Sequence, residues 1–305
     1  MKKIGLLMLL AIAFTANLFA QEAPTTETAT LEKSLLWEVT GNGLEAPSYV
    51  YGTIHMIGKK DFFFTDPTKT AMDAADQFAF EIDLEKMNDI GAMMPLMMKA
   101  FMRGDTTLKD LLTDEEYKVV SDHFQKIGLP LMFVERIKPM FLSAMTGGDM
   151  MSPPGTDSGP SGMVSYEFEI MEVAKKEDKP ISGLETAEFQ MSMFDSIPYS
   201  VQAQMLMEAI ESESDPSGNS QMDEMVKMYK DQDIEAMVSM MDDEEGIGGF
   251  EDLLLVNRNK KWIPIMEDMM KEKVTFFAVG AGHLGGDYGV IRLLKAAGYS
   301  LKPLY

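Results

Sequence analysis

VTFFAVGAGHLGGDYGVIRLLKAAGY, residues Val274 to Tyr299, sets the fold class of this chain. Val274 to Val279 is a short apolar run that stops at a glycine turn, as a buried strand does. His283 follows at the turn, and the segment beyond it has helical spacing up to Gly298. The pattern is therefore strand, tight turn with an exposed histidine, helix.

The same arrangement recurs far upstream. Ser48 to His55 reads SYVYGTIH, again a strand followed by glycine, two residues and histidine. Gly52 pairs with His55 in this motif as Gly280 does with His283, and the whole chain has 3 histidines. Glycine at the first position predicts a positive φ that aims each histidine out of the strand line. The remaining histidine, His123, sits inside a helical pattern beside Asp122, without a strand or glycine turn, and reads as a helix-surface residue.

Between the two motifs, the periodicity alternates between strands and helices. Leu35 to Val39 and Tyr49 to Tyr51 flank the turn Gly41-Asn42-Gly43 and predict a β-hairpin. A short helix is expected over Thr68 to Asp76, and Gln77 to Asp83 reads as a buried strand whose end turns acidic. Side chains alternate along a strand, so Glu81 and Asp83 share a face there, which suits a site better than a core. From Leu84 to Ile127 the pattern is helical, with Thr113 to Glu116 as a capping box. Gly147 to Gly162 reads as a lid or a flexible crossing. Tyr166 to Ala174 is helical, and Lys179 to Glu185 is a strand ending in a carboxylate, with Thr186 capping the next helix. Ser212 to Ser220 is a polar break, Gln221 to Met241 holds two short helices, and Asp242 to Glu245 is a solvated loop. A last long helix is expected over Phe250 to Lys273, kinked or restarted at Pro264, with Asn257, Arg258 and Asn259 side by side. Tyr299 to Tyr305 predicts an edge strand.

The ends of the chain and its composition narrow the function. Residues 1–20 read as a secretory signal peptide, with Lys2 and Lys3 before the apolar run Ile4 to Phe14 and a cleavage point after Ala20. Residues 21–33 read as a disordered leader, and residues 34–305 as one α/β domain with helical insertions. The expected product is exported, to the periplasm or the extracellular space, without stable membrane insertion. There is no cysteine, which removes disulfides and thiolate ligands, so a metal would be held by His, Asp, Glu or water. The formal charge is −22, and without Lys2 and Lys3 the balance is 25 basic against 49 acidic residues. So acidic a surface repels nucleic acid and anionic membranes. The 30 methionines cluster at Gly91 to Met102 and at Met191, Met193, Met205 and Met207, where helical spacing predicts flexible packing rather than a soft-metal or peptide surface.

Two histidines and several carboxylates at strand ends are the donors a metal site in an open α/β sheet needs. Two imidazoles and a carboxylate leave a coordination position for water, and another carboxylate would act as base. The competing reading is that both histidines merely cap turns. A shared metal requires ring nitrogens within about 4 Å of each other or of Glu81.

At these residues the chain resembles the TraB/GumN family, whose animal relatives include the Tiki metalloproteases. The resemblance rests on SYVYGTIH, FAFEIDL, KPISGLETAEFQ, NRNKKW and VGAGHLGGDYGVIRLLKAAGY, in that order. It implies His55 and His283 as metal ligands, Glu81 as their acidic partner, and Glu185, Arg258 and Asn259 as further residues of a catalytic site. It implies a divalent metal (manganese, cobalt or zinc), a peptide or protein substrate, and a mixed sheet flanked by helices, similar to the erythromycin esterase and ChaN-like group. A non-catalytic peptide- or metal-binding protein of the same family is the alternative. The family pattern also leads us to expect an aspartate near Val164 to Glu167, where Glu167 is at best its neighbour, so substrate specificity is expected to differ if that position contacts substrate.

Overall fold

The computed structural model of the chain describes residues 30–86, 90–143, 145–146, 162–214, 219–242 and 248–305. Residues 1–29, which include the expected signal peptide and most of the expected leader, residues 147–161 of the expected lid, and residues 243–245 of the expected charge-run loop lie outside the described residues.

A six-stranded sheet organises the chain. It is built from β1 (Leu36–Gly41), β2 (Ser48–Thr53), β4 (Gln77–Ile82), β6 (Ile181–Glu185), β7 (Thr275–Gly280) and β8 (Tyr299–Leu304), in the order β6-β4-β7-β2-β1-β8. The central strands are parallel: β2 pairs with β7, β7 with β4, and β4 with β6. β1 forms the expected antiparallel hairpin with β2, and β8 joins β1 as the antiparallel edge. β3 (Ile57–Gly58) and β5 (Met163–Val164) form a separate two-stranded pair. Strands covered on both faces need continuous apolar sequence. All of β2 is buried, as are Phe276, Phe277, Ala278 and Val279 of β7. Each such aromatic contributes about 1.5–3 kcal/mol by burial.

Helices fill the connections. α1 (Asp66–Ala74), α2 (Ile90–Lys99), α3 (Asp114–Lys126), α4 (Pro139–Ser143) and α5 (Tyr166–Lys176) precede β6. α6 (Ala187–Met193), α7 (Tyr199–Ser214), α8 (Asn219–Lys230), α9 (Ile234–Asp242) and α10 (Asn257–Glu272) lie between β6 and β7, and α11 (Val290–Ala296) follows β7. The sheet's core takes in Ile170 and Ala174 of α5, Tyr229 of α8, Trp262 and Met266 of α10, and Ile291 and Leu294 of α11. A second, helical core joins Val120 and Phe124 of α3 to Leu142 of α4 and Leu206 of α7. This is the expected helical insertion.

Local chemistry explains the boundaries. Thr65 caps α1, with Pro67 in its first turn, and Thr113 and Glu116 form the predicted capping box of α3. Thr186 caps α6 as anticipated. The last long helix is found over Asn257–Glu272 with Pro264 inside it, so no new helix starts there; the segment ahead of it is a π-helical stretch at Asp252–Val256. Helical widening of this kind is frequent at functional sites.

The methionines divide. Met193 and Met207 are buried, as the packing reading requires, but Met94, Met97 and Met98 of α2 are 57 to 66% exposed. Among the α2 side chains described, Leu96 is buried, at 5% exposure, so helical spacing alone did not tell the covered face of α2 from the open one.

Candidate functional site

All four parallel strands end at one edge of the sheet, and each delivers a polar residue there. β2 leads to His55, β4 carries Glu81, β6 ends at Glu185, and β7 leads to His283. Carboxyl ends of parallel strands are where open α/β sheets bind ligands. α10 brings Arg258 and Asn259 against the same edge from the other side of the sequence.

The glycines act differently from expectation. Neither Gly52 nor Gly280 has a positive φ; Gly280 sits at −52°. What each provides is close approach, since a Cβ at either place would be tightly crowded. A Cβ on Gly280 would lie 3.2 Å from Glu81 Oε1, and a Cβ on Gly52 would lie 3.1 Å from Ala281 and Leu284. Gly52 therefore packs its motif directly on the turn of the other. Gly280 N–H also donates to Glu81 Oε1 at 2.9 Å, so one backbone position both admits and anchors that carboxylate.

The two histidines are not equivalent. His283 is buried, not exposed at the turn, with 4% of its surface accessible. Its Nδ1–H donates to Asn259 Oδ1 at 2.6 Å, because the Asn259 amide nitrogen already donates to the carbonyls of His283 and Tyr288. Its Nε2 accepts from Arg258 Nη1 at 3.0 Å and lies 3.6 Å from Glu81 Oε1. Trp262 covers the ring, with centroids 4.4 Å apart. Burial lowers the His283 pKa to about 3, so the ring is neutral with its lone pair on Nε2.

The His55 side chain is 80% exposed. Its Nδ1 pairs with Glu167 Oε1 at 2.9 Å, while Thr53 Oγ1 donates to the same oxygen at 2.8 Å and Ser165 Oγ to the other at 3.0 Å. The Glu167 hydrogen bond raises the His55 pKa to about 9. Glu167, which the family pattern marked only as the neighbour of an expected aspartate, is the partner of His55, a pairing that sequence reasoning missed. It stands in the first turn of α5, where acidic residues are common for helix-dipole reasons alone, so nothing in the local pattern distinguished it. Replacing Glu167 by glutamine is expected to bring the His55 titration midpoint down by more than one unit toward the ordinary histidine value of about 6.5, read by NMR of the imidazole. An unchanged midpoint would mean the pairing does not form in solution.

Arg258 is the hub. It is 6% exposed. Its Nε and Nη2 donate to Glu185, its Nη2 to Glu81, and its Nη1 to the Leu254 carbonyl as well as to His283. Leu254 belongs to the π-helical stretch, which thus supplies an acceptor to the guanidinium. Trp262 Nε1 donates to Glu185 Oε2 at 3.1 Å and Gln190 Nε2 to Glu81 Oε2 at 3.1 Å. Burial pushes the Glu81 carboxyl up, but the charges of Arg258 and His55 with the Gly280 N–H hold it below the usual carboxylate range. Asp83, expected to share the face of Glu81, lies past the strand end and pairs with Lys86 at 2.9 Å. His123 is partly exposed within α3, as read, with Nε2 3.0 Å from the Thr146 carbonyl oxygen.

Among the described residues no three His, Asp or Glu side chains stand close enough to hold one ion. The donors nevertheless suit a divalent cation in kind. Ligands about 2.0–2.2 Å from one ion lie ~3–4 Å apart, which the 3.6 Å between His283 Nε2 and Glu81 Oε1 satisfies. The Nε2 lone pair that would bind the ion is engaged by Arg258.

The fold and this edge define an α/β protein with a buried His-Glu-Arg cluster at the carboxyl ends of its parallel strands. Comparison with known sequences places it further. The chain belongs to the TraB/PrgY/gumN family, matched over residues 35–303. It is similar to "Metalloprotease TIKI1" of Xenopus tropicalis, 23% identical over 88% of this chain and 61% of the relative. "Metalloprotease TIKI1" of Danio rerio is 22% identical over 88% of this chain and 63% of its own length. The chain thus spans about three-fifths of the length of these curated relatives. No solved structure matches at a significant level.

Proposed function

We propose that this chain is an exported metal-dependent hydrolase acting on peptide or protein substrates, with residues 1–20 as its signal peptide and residues 34–305 as one catalytic domain. The observation that carries the reading is the convergence of His55, Glu81 and His283 on one edge of the sheet, with His283 neutral and its tautomer set by Asn259. Among the described residues no helix is long and apolar enough to cross a membrane. The similarity to proteins named metalloproteases supports the same class of chemistry.

In this proposal His283 and Glu81, already 3.6 Å apart, form one half of the site, and the exposed His55 side chain swings in to complete it, the divalent ion being manganese, cobalt or zinc. Bound there, it supplies the Lewis acidity that activates water and polarises a carbonyl. The chain's own groups do the rest. Asn259 presents Nε2 of His283 by occupying Nδ1–H, and Glu167 orients His55 through its Nδ1, that ring having to release its Nε2 proton before it can ligate an ion. Glu185, held through both oxygens by Arg258 and Trp262, positions the guanidinium. Glu81 keeps Oε1 directed at the ring edge through the Gly280 N–H.

Metal analysis of the purified protein, alongside His55→Ala and His283→Ala, tests this. The wild type is expected to carry close to one divalent ion per chain and to hydrolyse peptides, and both variants to lose the two properties together. A wild-type protein that takes up no divalent ion, or variants with unchanged metal and activity, would sink the reading. The second reading is a non-catalytic peptide- or metal-binding protein, and the occupation of His283 Nε2 by Arg258 favours its peptide-binding form. Under it, ligand capture survives Glu81→Gln and no hydrolysis is seen in the wild type.

A further inference from the structure

The disagreement between a metal-site donor set and a site filled by a guanidinium has a physical content of its own. Arg258 Nη1 shares the lone pair on His283 Nε2, and Nη2 bonds Glu81 Oε2, so one cationic group holds the ring nitrogen and the second oxygen of the carboxylate whose Oε1 lies 3.6 Å from that nitrogen. The guanidinium is buried, stacked on Trp262 with its central carbon 4.8 Å from the ring centroid, and balanced by two carboxylates. A second cation cannot simply be added. It would sit ~2 Å from Nε2, where an N–H now points, and like charges so close repel strongly in a buried setting.

We propose that Arg258 is an internal cation that closes the Glu81–His283 site in the metal-free protein, and that a divalent ion enters by exchange with it rather than by addition. The inference rests on the metal-dependent reading above and concerns how that site is filled. Exchange needs somewhere for the guanidinium to stay. Glu185 provides it: the Nε and Nη2 bonds to Glu185, at 3.0 and 2.7 Å, involve neither His283 nor Glu81. Arg258 can give up Nε2 and the Glu81 oxygen by turning its planar fork about Glu185, keeping one of those two bonds and so a paired charge. Glu81 keeps its acceptor bonds from Gly280 and Gln190 throughout, and His283 keeps Asn259, so both donors hold their places while the guanidinium leaves. The consequence is a site whose apparent metal affinity is set by competition inside the protein, and which stays folded without the ion because a resident cation neutralises the carboxylates.

The test is binding of Zn²⁺ and, separately, Mn²⁺ by calorimetry to the full chain and to the doubly substituted Arg258→Met, Glu185→Gln protein. The double change removes one cation and one anion together. Exchange predicts that the variant binds the ion tighter than the wild type by about ten-fold or more, since a buried like charge has gone. It also predicts a larger rise of melting temperature with the ion in the variant, which loses no Arg258 contacts on binding. Should the variant not fold, ¹⁵N NMR of the wild type decides: Zn²⁺ must shift the Arg258 guanidinium and His283 Nε2 resonances together. A wild type that binds the ion, with a folded variant that binds equally or more weakly, overturns exchange and leaves the metal reading standing. So does Zn²⁺ uptake that leaves Arg258 unperturbed. If neither protein binds either ion, exchange and the metal reading fall together.

Discussion

Replacing Arg258 by alanine in the metal-free protein lowers its unfolding free energy by about 3–5 kcal/mol, the cost of leaving buried carboxylates without their counter-ion. Glu81 and Glu185 have side chains 13% and 6% exposed, and Arg258 is the basic residue in ion-pair contact with each. Removing it also strips a donor from the Leu254 carbonyl and from His283 Nε2. A loss of this size is a large fraction of the 5–15 kcal/mol that holds an ordinary domain together. The midpoint of urea unfolding measures it, with Lys260→Ala as the control. Lys260 is the exposed neighbour two positions along the same helix, its ammonium 4.0 Å from the Tyr288 ring centroid, and its removal is expected to cost less than ~1 kcal/mol. A difference between the two variants below ~1 kcal/mol would mean that Arg258 does not hold the buried charges together.

The second large effect is a stability maximum near pH 6.5, with the two histidines responsible for opposite limbs. His283 has a folded pKa of about 3, below the ordinary value of about 6.5, because burial disfavours its charge. Between those values the unfolded chain binds a proton that the folded chain does not, so stability falls as pH falls from about 6.5 toward 3. The Glu81 carboxyl, also depressed on folding, adds to the loss in the same direction. His55 behaves oppositely. Its folded pKa, raised to about 9 by Glu167, gives stability that is complete below about 6.5 and is lost as pH rises through 9. The acid limb is the larger, on the order of a few kcal/mol, since each pKa unit at a buried site is worth ~1.4 kcal/mol; the His55 limb is shallow because its ring is largely open to water. Unfolding midpoints from pH 3 to 9 check both limbs. His283→Gln must flatten the acid side and Glu167→Gln the alkaline side; limbs that persist in these variants would assign the titrations to other groups.

These expectations concern residues that differed in how far the sequence announced them. The strands were legible because an apolar run flanked by glycine or acidic residues has few other destinations in a chain of this composition: β4, β6 and β7 appeared within a residue or two of the predicted bounds, and β8 as the predicted edge. The capping boxes and caps at Thr113 and Thr186 were legible for the same local reason. Glu167 was not. Its partners, Thr53 and His55, are 114 and 112 residues away, and no local pattern carries that separation. The turn glycines were found for the wrong cause. Positive φ is a property of one residue and can be anticipated, whereas the crowding of a Cβ against Glu81, 199 positions earlier, depends on where two strands lie side by side.

By itself the sequence determined the alternation of strands and helices, the paired glycine-histidine turns, the lack of thiolate chemistry and the family. Those follow from periodicity, composition and short motifs, which are local. Only the tertiary structure decided that the turn at Val274 to Tyr299 buries its histidine while the matching turn at Ser48 to His55 leaves its own open. It alone decided that Arg258 stands between Glu81 and His283. The physical reason is the parallel order β6-β4-β7-β2, which brings carboxyl ends from four distant segments to one edge. α10 then lies over β7's histidine, and through Trp262 and Arg258 sets how much water and which charges that ring meets.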